Sequence, residues 1–254
     1  MEDLLRDLAE GRIDVDQAKE EMERRLFGSG QSNIDPHRRE RTGVPEVILA
    51  EGKTDDQIVE IIIDFLRTSQ RAIVSRLGET RLDKILPSVE ERYPGIYQRY
   101  DPLARFLVVR HQDHNIEKTG GKVGILTAGT SDIGVAREAE LMAEEMGSEV
   151  KNYNDVGVAG VHRVMMPLKE LRDWGASVLI VAAGREGALP TLVSGLTSIP
   201  VIGLPVSTGY GIHGKGETAL YAMLQSCSPL AVVNIDAGFV AGAMAAKIAN
   251  KSSG

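Results

Sequence analysis

One thiol, one carboxylate and one His-Arg pair stand out in this sequence as groups able to do chemistry. Cys227 is the single cysteine of the 254-residue chain, and it lies in Leu224-Gln225-Ser226-Cys227-Ser228-Pro229, between a helical pattern and the apolar run from Leu230 to Asp236. A thiol at such a junction can meet a ligand as a nucleophile. Free cysteine is nevertheless among the most buried residue types, so packing is the favoured reading of the local sequence taken alone. Glu186 stands between glycines in Ala183-Gly184-Arg185-Glu186-Gly187, close to a helix start. It can serve there as a general base, or simply complement the helix dipole, which is the more ordinary role. His162-Arg163 opens a helical pattern and suits an anionic ligand, although a surface histidine without a role fits the same residues.

Small and polar residues accompany these groups. In Ala128-Gly129-Thr130-Ser131-Asp132, backbone N–H groups and the helix start that follows can hold a phosphate, while helix capping by Ser131 or Asp132 accounts for the same residues. Ser207-Thr208-Gly209-Tyr210-Gly211-Ile212-His213-Gly214-Lys215-Gly216 contains four glycines, which let backbone approach a ligand closely or merely keep a loop flexible. Gly52-Lys53-Thr54 has the end of a phosphate loop but not its earlier glycine, which excludes a nucleoside-triphosphatase of that type. No carboxylate cluster marks a dedicated metal site.

The elements that must position these groups are legible from the hydrophobic pattern. From Lys122 onward strands and helices alternate five times. The strands are expected over 123–127, 149–153, 178–182, 201–204 and 231–235, and the helices near 133–146, 161–174, 188–196, 217–225 and 240–249. Such alternation implies right-handed crossovers and a parallel sheet covered on both faces, a flavodoxin-like three-layer α/β domain. Ligands of such sheets gather outside the carboxyl ends of the strands, where the Thr130, His162, Glu186 and glycine-rich segments fall. Cys227 precedes a strand and therefore belongs at the opposite, amino edge.

The first half is less regular. Two short helices are expected within residues 1–40, with Leu4, Leu5 and Leu8 on one face of the first. Gly28-Ser29-Gly30-Gln31-Ser32-Asn33 reads as a loop. A strand over 46–50, a helix over 55–68 capped by Thr54 with Ile58, Val59, Ile61, Ile62 and Phe65 buried, and strands over 72–77 and 104–110 complete a small mixed α/β domain. The expected division is a domain at 1–115 and a flavodoxin-like domain at 116–254.

Composition sets the cellular context. Hydrophobic residues make up 43% and charged residues 26%, as in an ordinary globular protein, and the formal charge of −7 offers no footprint for nucleic acid. No apolar run approaches the roughly 20 residues that span a bilayer, and the N-terminus lacks a basic region followed by an apolar one. One cysteine agrees with a reducing compartment, so a cytoplasmic protein is expected.

Together the segments Ala128 to Asp132, Val161-His162-Arg163, Gly184 to Pro190, the glycine-rich loop and Gln225-Ser226-Cys227 resemble the LarB family. Arg41-Thr42-Gly43-Val44-Pro45-Glu46 with Glu51-Gly52-Lys53-Thr54 resembles that family's N-terminal signature, and the C-terminal half also resembles the aminoimidazole ribonucleotide carboxylase/mutase family. The LarB resemblance implies a pyridinium-3,5-biscarboxylic acid mononucleotide synthase, the first enzyme of nickel-pincer nucleotide assembly for lactate racemase. It would carboxylate the pyridinium ring of nicotinic acid adenine dinucleotide with carbon dioxide and hydrolyse the phosphoanhydride to release AMP.

The same resemblance implies Cys227 as transient nucleophile and Glu186 as the base. It implies Thr130, Ser131, Asp132, His162 and Arg163, with Gly184, Gly187, Gly211, His213 and Gly214, as substrate-binding positions. Mg2+ could accompany the pyrophosphate; no resident cofactor is implied. A homo-octamer with sites shared between subunits is implied too, and it would bring Cys227 of one chain to Glu186 of another. Aminoimidazole ribonucleotide carboxylation, which has no use for the thiol, and a non-catalytic nucleotide-binding module are the alternative readings.

Overall fold

The computed structural model describes residues 2–27, 35, 38–208 and 214–252. By its internal contacts the chain divides into two compact units, residues 1–100 with 107–114, and residues 101–106 with 115–254.

The N-terminal part runs through α1 (Glu2–Ala9), α2 (Val15–Phe27), α3 (Arg38–Thr42), β1 (Ile48–Leu49), α4 (Asp55–Ser69), β2 (Arg71–Ser75), α5 (Leu82–Arg92), β3 (Ile96–Asp101) and β4 (Phe106–His111). Its sheet has the order β1-β2-β4-β3, with β1 parallel and β4 antiparallel to β2. The α4 start is a capping box: Thr54 Oγ1 accepts the Gln57 N–H at 3.2 Å, and the Gln57 side chain accepts the Thr54 N–H at 3.0 Å. Ile58, Val59, Ile62 and Phe65 are buried as the pattern predicts, but so are Ile63 and Leu66, while Ile61 is only half-buried. The buried stripe is wide because α4 packs on both β2 and α5. Arg81 holds the turn before α4, donating to the carbonyls of Ala50 at 3.0 Å and Lys53 at 2.7 Å and pairing with Asp55 at 2.6 Å.

Several expectations for this half need correction. The expected strand over 46–50 is reduced to the two residues Ile48–Leu49. Strand β2 stops at Ser75 because Arg76 turns into the left-handed region at φ 59°. Strand β4 begins only at Phe106, since Asp101 accepts the N–H groups of Leu103 and Ala104 and Arg105 turns at φ 53°. Leu5 does not share the buried face of Leu4; it is 52% exposed. Helix α5 carries Pro87 in its interior and β3 is largely polar, so neither advertises itself in the pattern. The glycine-serine loop expected at Gly28–Asn33 lies outside the described residues.

The second half alternates β5 (Lys122–Thr127), α6 (Ile133–Glu145), β6 (Glu149–Tyr153), α7 (His162–Trp174), β7 (Val178–Ala183), α8 (Ala188–Leu196), β8 (Val201–Pro205), α9 (Glu217–Leu224), β9 (Ala231–Val232) and α10 (Gly238–Ser252). All five strands are parallel, in the order β6-β5-β7-β8-β9. Helices α7, α8 and α9 share one apolar cluster with the sheet, and α6 and α10 pack together on the other face, giving the expected three layers. Central β7 is buried at every residue, as a strand covered on both faces must be. The contact of α6 with α10 is close: a Cβ on Gly242 would lie 2.2 Å from the Ala139 carbonyl oxygen. Strand β9 is shorter than the expected 231–235. The Val233 N–H still reaches the Gly203 carbonyl, but the chain then turns over Asn234–Ala237, with Asp236 at φ 53°.

Candidate functional site

The strand order fixes where a ligand site can form in the parallel sheet. The chain leaves β5 for β6 on one side and then returns past β5 to β7, β8 and β9, so the topological switch lies between the carboxyl ends of β5 and β7. The turns after β5, β6, β7 and β8 all open at this edge.

After β5, Gly129 is extended and residues 130–132 form a single 3-10 turn leading into α6. Thr130 and Ser131 are exposed there. Asp132 is turned inward and is 3% exposed. Its Oδ2 accepts the Gly129 N–H at 2.8 Å, and Oδ1 faces the Ser131 hydroxyl at 3.4 Å and the Thr208 hydroxyl at 3.5 Å. Burial pushes the Asp132 carboxyl above its ordinary range, although hydrogen bonds from Gly129, Ser131, Gly184 and Thr208 act in the other direction.

After β6, His162 is exposed at the first residue of α7, and Arg163 next to it is half-buried. Arg163 Nη1 pairs with Asp155 Oδ2 at 3.1 Å. Asp155 is in turn fixed by the hydrogen bond of its N–H to Thr127 Oγ1 at 3.1 Å. Neither Asp155 nor Thr208 stands out in the sequence; an aspartate just after a strand is the available signal for the first, and the structure places it at φ 58°.

After β7, a turn closes by the Gly187 N–H to Gly184 carbonyl bond at 2.9 Å, with Arg185 at φ 41° and Glu186 at its crest, exposed. A non-glycine residue held in the left-handed region costs free energy and is over-represented at functional sites. The two glycines are buried and have packing reasons of their own. A Cβ on Gly184 would meet the Thr208 carbonyl oxygen at 3.2 Å and Asp132 Oδ1 at 3.3 Å, and one on Gly187 would meet the Ala219 carbonyl oxygen at 2.6 Å. After β8, Gly214 is half-buried, whereas Gly211 and His213 lie outside the described residues.

Cys227 is exposed, so the packing reading favoured by its local sequence does not hold. It sits between α9 and β9, where Ser226 accepts the Ser228 N–H at 3.1 Å and donates to the Ser228 carbonyl at 2.9 Å. Because all strands are parallel, this places Cys227 at the amino edge, while Glu186, Arg163 and Thr130 lie at the carboxyl edge. The structure thus brings Thr130, Ser131, Asp132, His162, Arg163, Gly184, Glu186 and Gly187 to one edge and leaves Cys227 at the other. Among the described residues no group of three or more His, Cys, Asp or Glu could hold a metal ion. Nor is any described helix long and apolar enough to cross a membrane.

The carboxyl edge gathers exposed hydroxyls at a turn into a helix, a guanidinium paired with Asp155, an imidazole at a helix start and an exposed carboxylate; the first three are groups able to bind an anion. Comparison with known proteins adds a family. Residues 122–253 match the AIR carboxylase model, and residues 28–112 match the LarB/PurE-like N-terminal domain. An uncharacterised protein of Methanocaldococcus jannaschii is 39% identical over 253 residues, covering 98% of this chain and 96% of that protein. The N5-carboxyaminoimidazole ribonucleotide mutase of Thermotoga maritima is 30% identical over 131 residues, covering 50% of this chain and 74% of the mutase. A probable mutase of the same name from Methanothermobacter thermautotrophicus is 35% identical over 133 residues, covering 50% of this chain and 37% of that protein.

Proposed function

Because this chain belongs to the LarB-like proteins, with a C-terminal AIR carboxylase domain, we propose that it carboxylates the pyridinium ring of nicotinic acid adenine dinucleotide and hydrolyses the phosphoanhydride. The products are pyridinium-3,5-biscarboxylic acid mononucleotide and AMP, which makes the reaction the first step of nickel-pincer nucleotide assembly.

An electron-poor pyridinium does not attack carbon dioxide, so a nucleophile must first break its aromaticity. The Cys227 thiolate adds to the ring, forming a carbon–sulfur bond and neutralising the ring nitrogen. The resulting enamine carbon attacks carbon dioxide. Glu186 then removes the proton from that carbon, the carbon–sulfur bond breaks, and its electron pair leaves with the thiolate as the ring regains aromaticity. Thr130, Ser131, His162 and Arg163 hold the anionic groups of the substrate. Asp132, buried against Gly129 and Thr208, shapes the turn that presents Thr130 and Ser131. Water attacks the phosphoanhydride, with Mg2+ able to accompany the substrate.

The observation that carries this reading is the solvent-exposed Cys227 in a domain of carboxylase type. Its separation from Glu186 within one chain supports a site completed by a second copy in a homo-oligomer, for which an octamer is the expected form. Mass spectrometry after incubation with nicotinic acid adenine dinucleotide and bicarbonate-buffered carbon dioxide tests the reaction. AMP and a carboxylated mononucleotide should appear, and both should vanish in Cys227→Ala.

The mutases similar to the C-terminal half favour a second reading, conversion of an aminoimidazole ribonucleotide. That reaction needs no thiol. Turnover of the imidazole substrate that survives Cys227→Ala would select it.

A further inference from the structure

The N-terminal unit contains a cavity of about 450 Å3, within the size range of small-molecule sites, that the proposed reaction does not use. Its walls combine the apolar faces of Phe65, Ile73 and Pro45 with Arg39, Arg71 and His114. Arg71 is only 6% exposed, although it sits on β2 with an ionic head that most proteins leave in water. His114 Nε2 is buried with no hydrogen-bond partner among the described residues. An orphaned buried polar atom is rare in folded proteins and calls for a partner.

Arg39 and Arg71 line the same cavity as His114, which favours an anionic partner. Burial holds the imidazole below its ordinary range, and the charges of Arg71, Arg39, Arg110 and His111 act in the same direction. Carboxylates line the cavity as well. Of these, Asp35 pairs with Arg41 at 2.5 Å and Glu46 accepts the Asp35 N–H at 2.7 Å. The charges that act on His114 are all cationic, so the imidazole end of the cavity is electropositive, next to an apolar wall.

We propose that this cavity binds a small organic anion of mononucleotide size, with its phosphate or carboxylate against Arg71, Arg39 and His114 Nε2 and its ring on Phe65 and Ile73. The anion supplies the hydrogen-bond partner that Nε2 lacks and is attracted by both guanidinium groups. This site is independent of the one at the carboxyl edge of the parallel sheet and stands whether or not the proposed carboxylation is correct.

Hydrogen–deuterium exchange read by mass spectrometry on the full-length protein localises binding. AMP and nicotinate are the two probes, for a phosphate and a carboxylate source respectively, and adenosine is the uncharged control. At least one of the two anions should slow exchange in segments 65–73 and 107–114, and adenosine should not. Arg39→Ala and His114→Leu should each weaken that protection about tenfold in half-saturating concentration, the size expected for a lost hydrogen bond to a charged group. Any protection of segment 157–164 in the parallel-sheet domain should persist in both variants. Arg39 is exposed on α3, so its variant keeps the test open if His114→Leu folds poorly. Absence of protection at 65–73 and 107–114 with both anions, or equal protection by adenosine, would overturn the proposal.

Discussion

Asp132 and Gly184 meet at the switch point of the parallel sheet: a Cβ at Gly184 would come within 3.3 Å of Asp132 Oδ1. One residue follows β5 and the other follows β7, so the carboxylate joins the ends of the two central strands, and Thr208 after β8 completes the junction. The relationship makes Asp132 a part of the scaffold at this edge of the sheet, and it has a measurable pH signature.

The Asp132 carboxyl is raised in the folded protein, chiefly by burial. Native protein then binds this proton more tightly than the unfolded chain does. The contribution is favourable below the unfolded aspartate value and is lost as pH rises through the folded value, after which it stays level. Asp132→Asn keeps the shape without the charge. Denaturant midpoints measured from acid to neutral pH should therefore show wild type losing ground to Asp132→Asn as pH rises through that window. A difference between the two that does not change with pH would refute the assignment.

The contact between α6 and α10 leaves no room for a methyl group at Gly242, where the added Cβ would lie 2.2 Å from the Ala139 carbonyl oxygen. Backbone cannot turn aside as a flexible side chain can. Gly242→Ala should cost about 1–3 kcal/mol in urea unfolding through overpacking. Gly195→Ala on α8 is the control: its Cβ would meet only Ser228 Oγ at 3.4 Å, and the change should be neutral or slightly stabilising.

Arg81 satisfies two carbonyls and one carboxylate of the segment from Ala50 to Asp55. Removing its guanidinium with Arg81→Met leaves Ala50 and Lys53 without that donor and should lower stability by about 1–3 kcal/mol. Arg81→Lys keeps the charge but loses the forked geometry and should recover less than half of the loss. Full recovery by lysine would mean that charge alone matters there.

Much of this architecture was legible because the physical constraints are local. Strands β5, β7 and β8 are short apolar runs bounded by turn residues, and Thr54 with Gln57 announces the α4 start. Helix α5 and strand β3 were not legible, since an internal Pro87 and a largely polar strand are tolerated only through tertiary packing. At the candidate site, residue type singles out Thr130, Asp132, Arg163 and Glu186, while only coordinates show Asp132 turned inward and Asp155 paired with Arg163. The exposure of Cys227 also ran against its composition-based expectation, because a turn between α9 and β9 is set by topology rather than by side-chain hydrophobicity.

Topology also sets the most demanding test of the proposed site. Cys227 lies at the amino edge and Glu186 at the carboxyl edge of one parallel sheet, so a shared site takes the thiol from one chain and the carboxylate from another. Cys227→Ala and Glu186→Gln should each be inactive in forming the carboxylated mononucleotide. When the two inactive variants are mixed and their subunits allowed to exchange, each site draws its two groups from different chains, and about a quarter of sites regain both in a random equal mixture of a symmetric oligomer. Activity should return to about that fraction of wild type. If exchange is demonstrated by mass-tagged subunits and activity stays absent, the two groups act within one chain or do not act together, and the shared site is wrong.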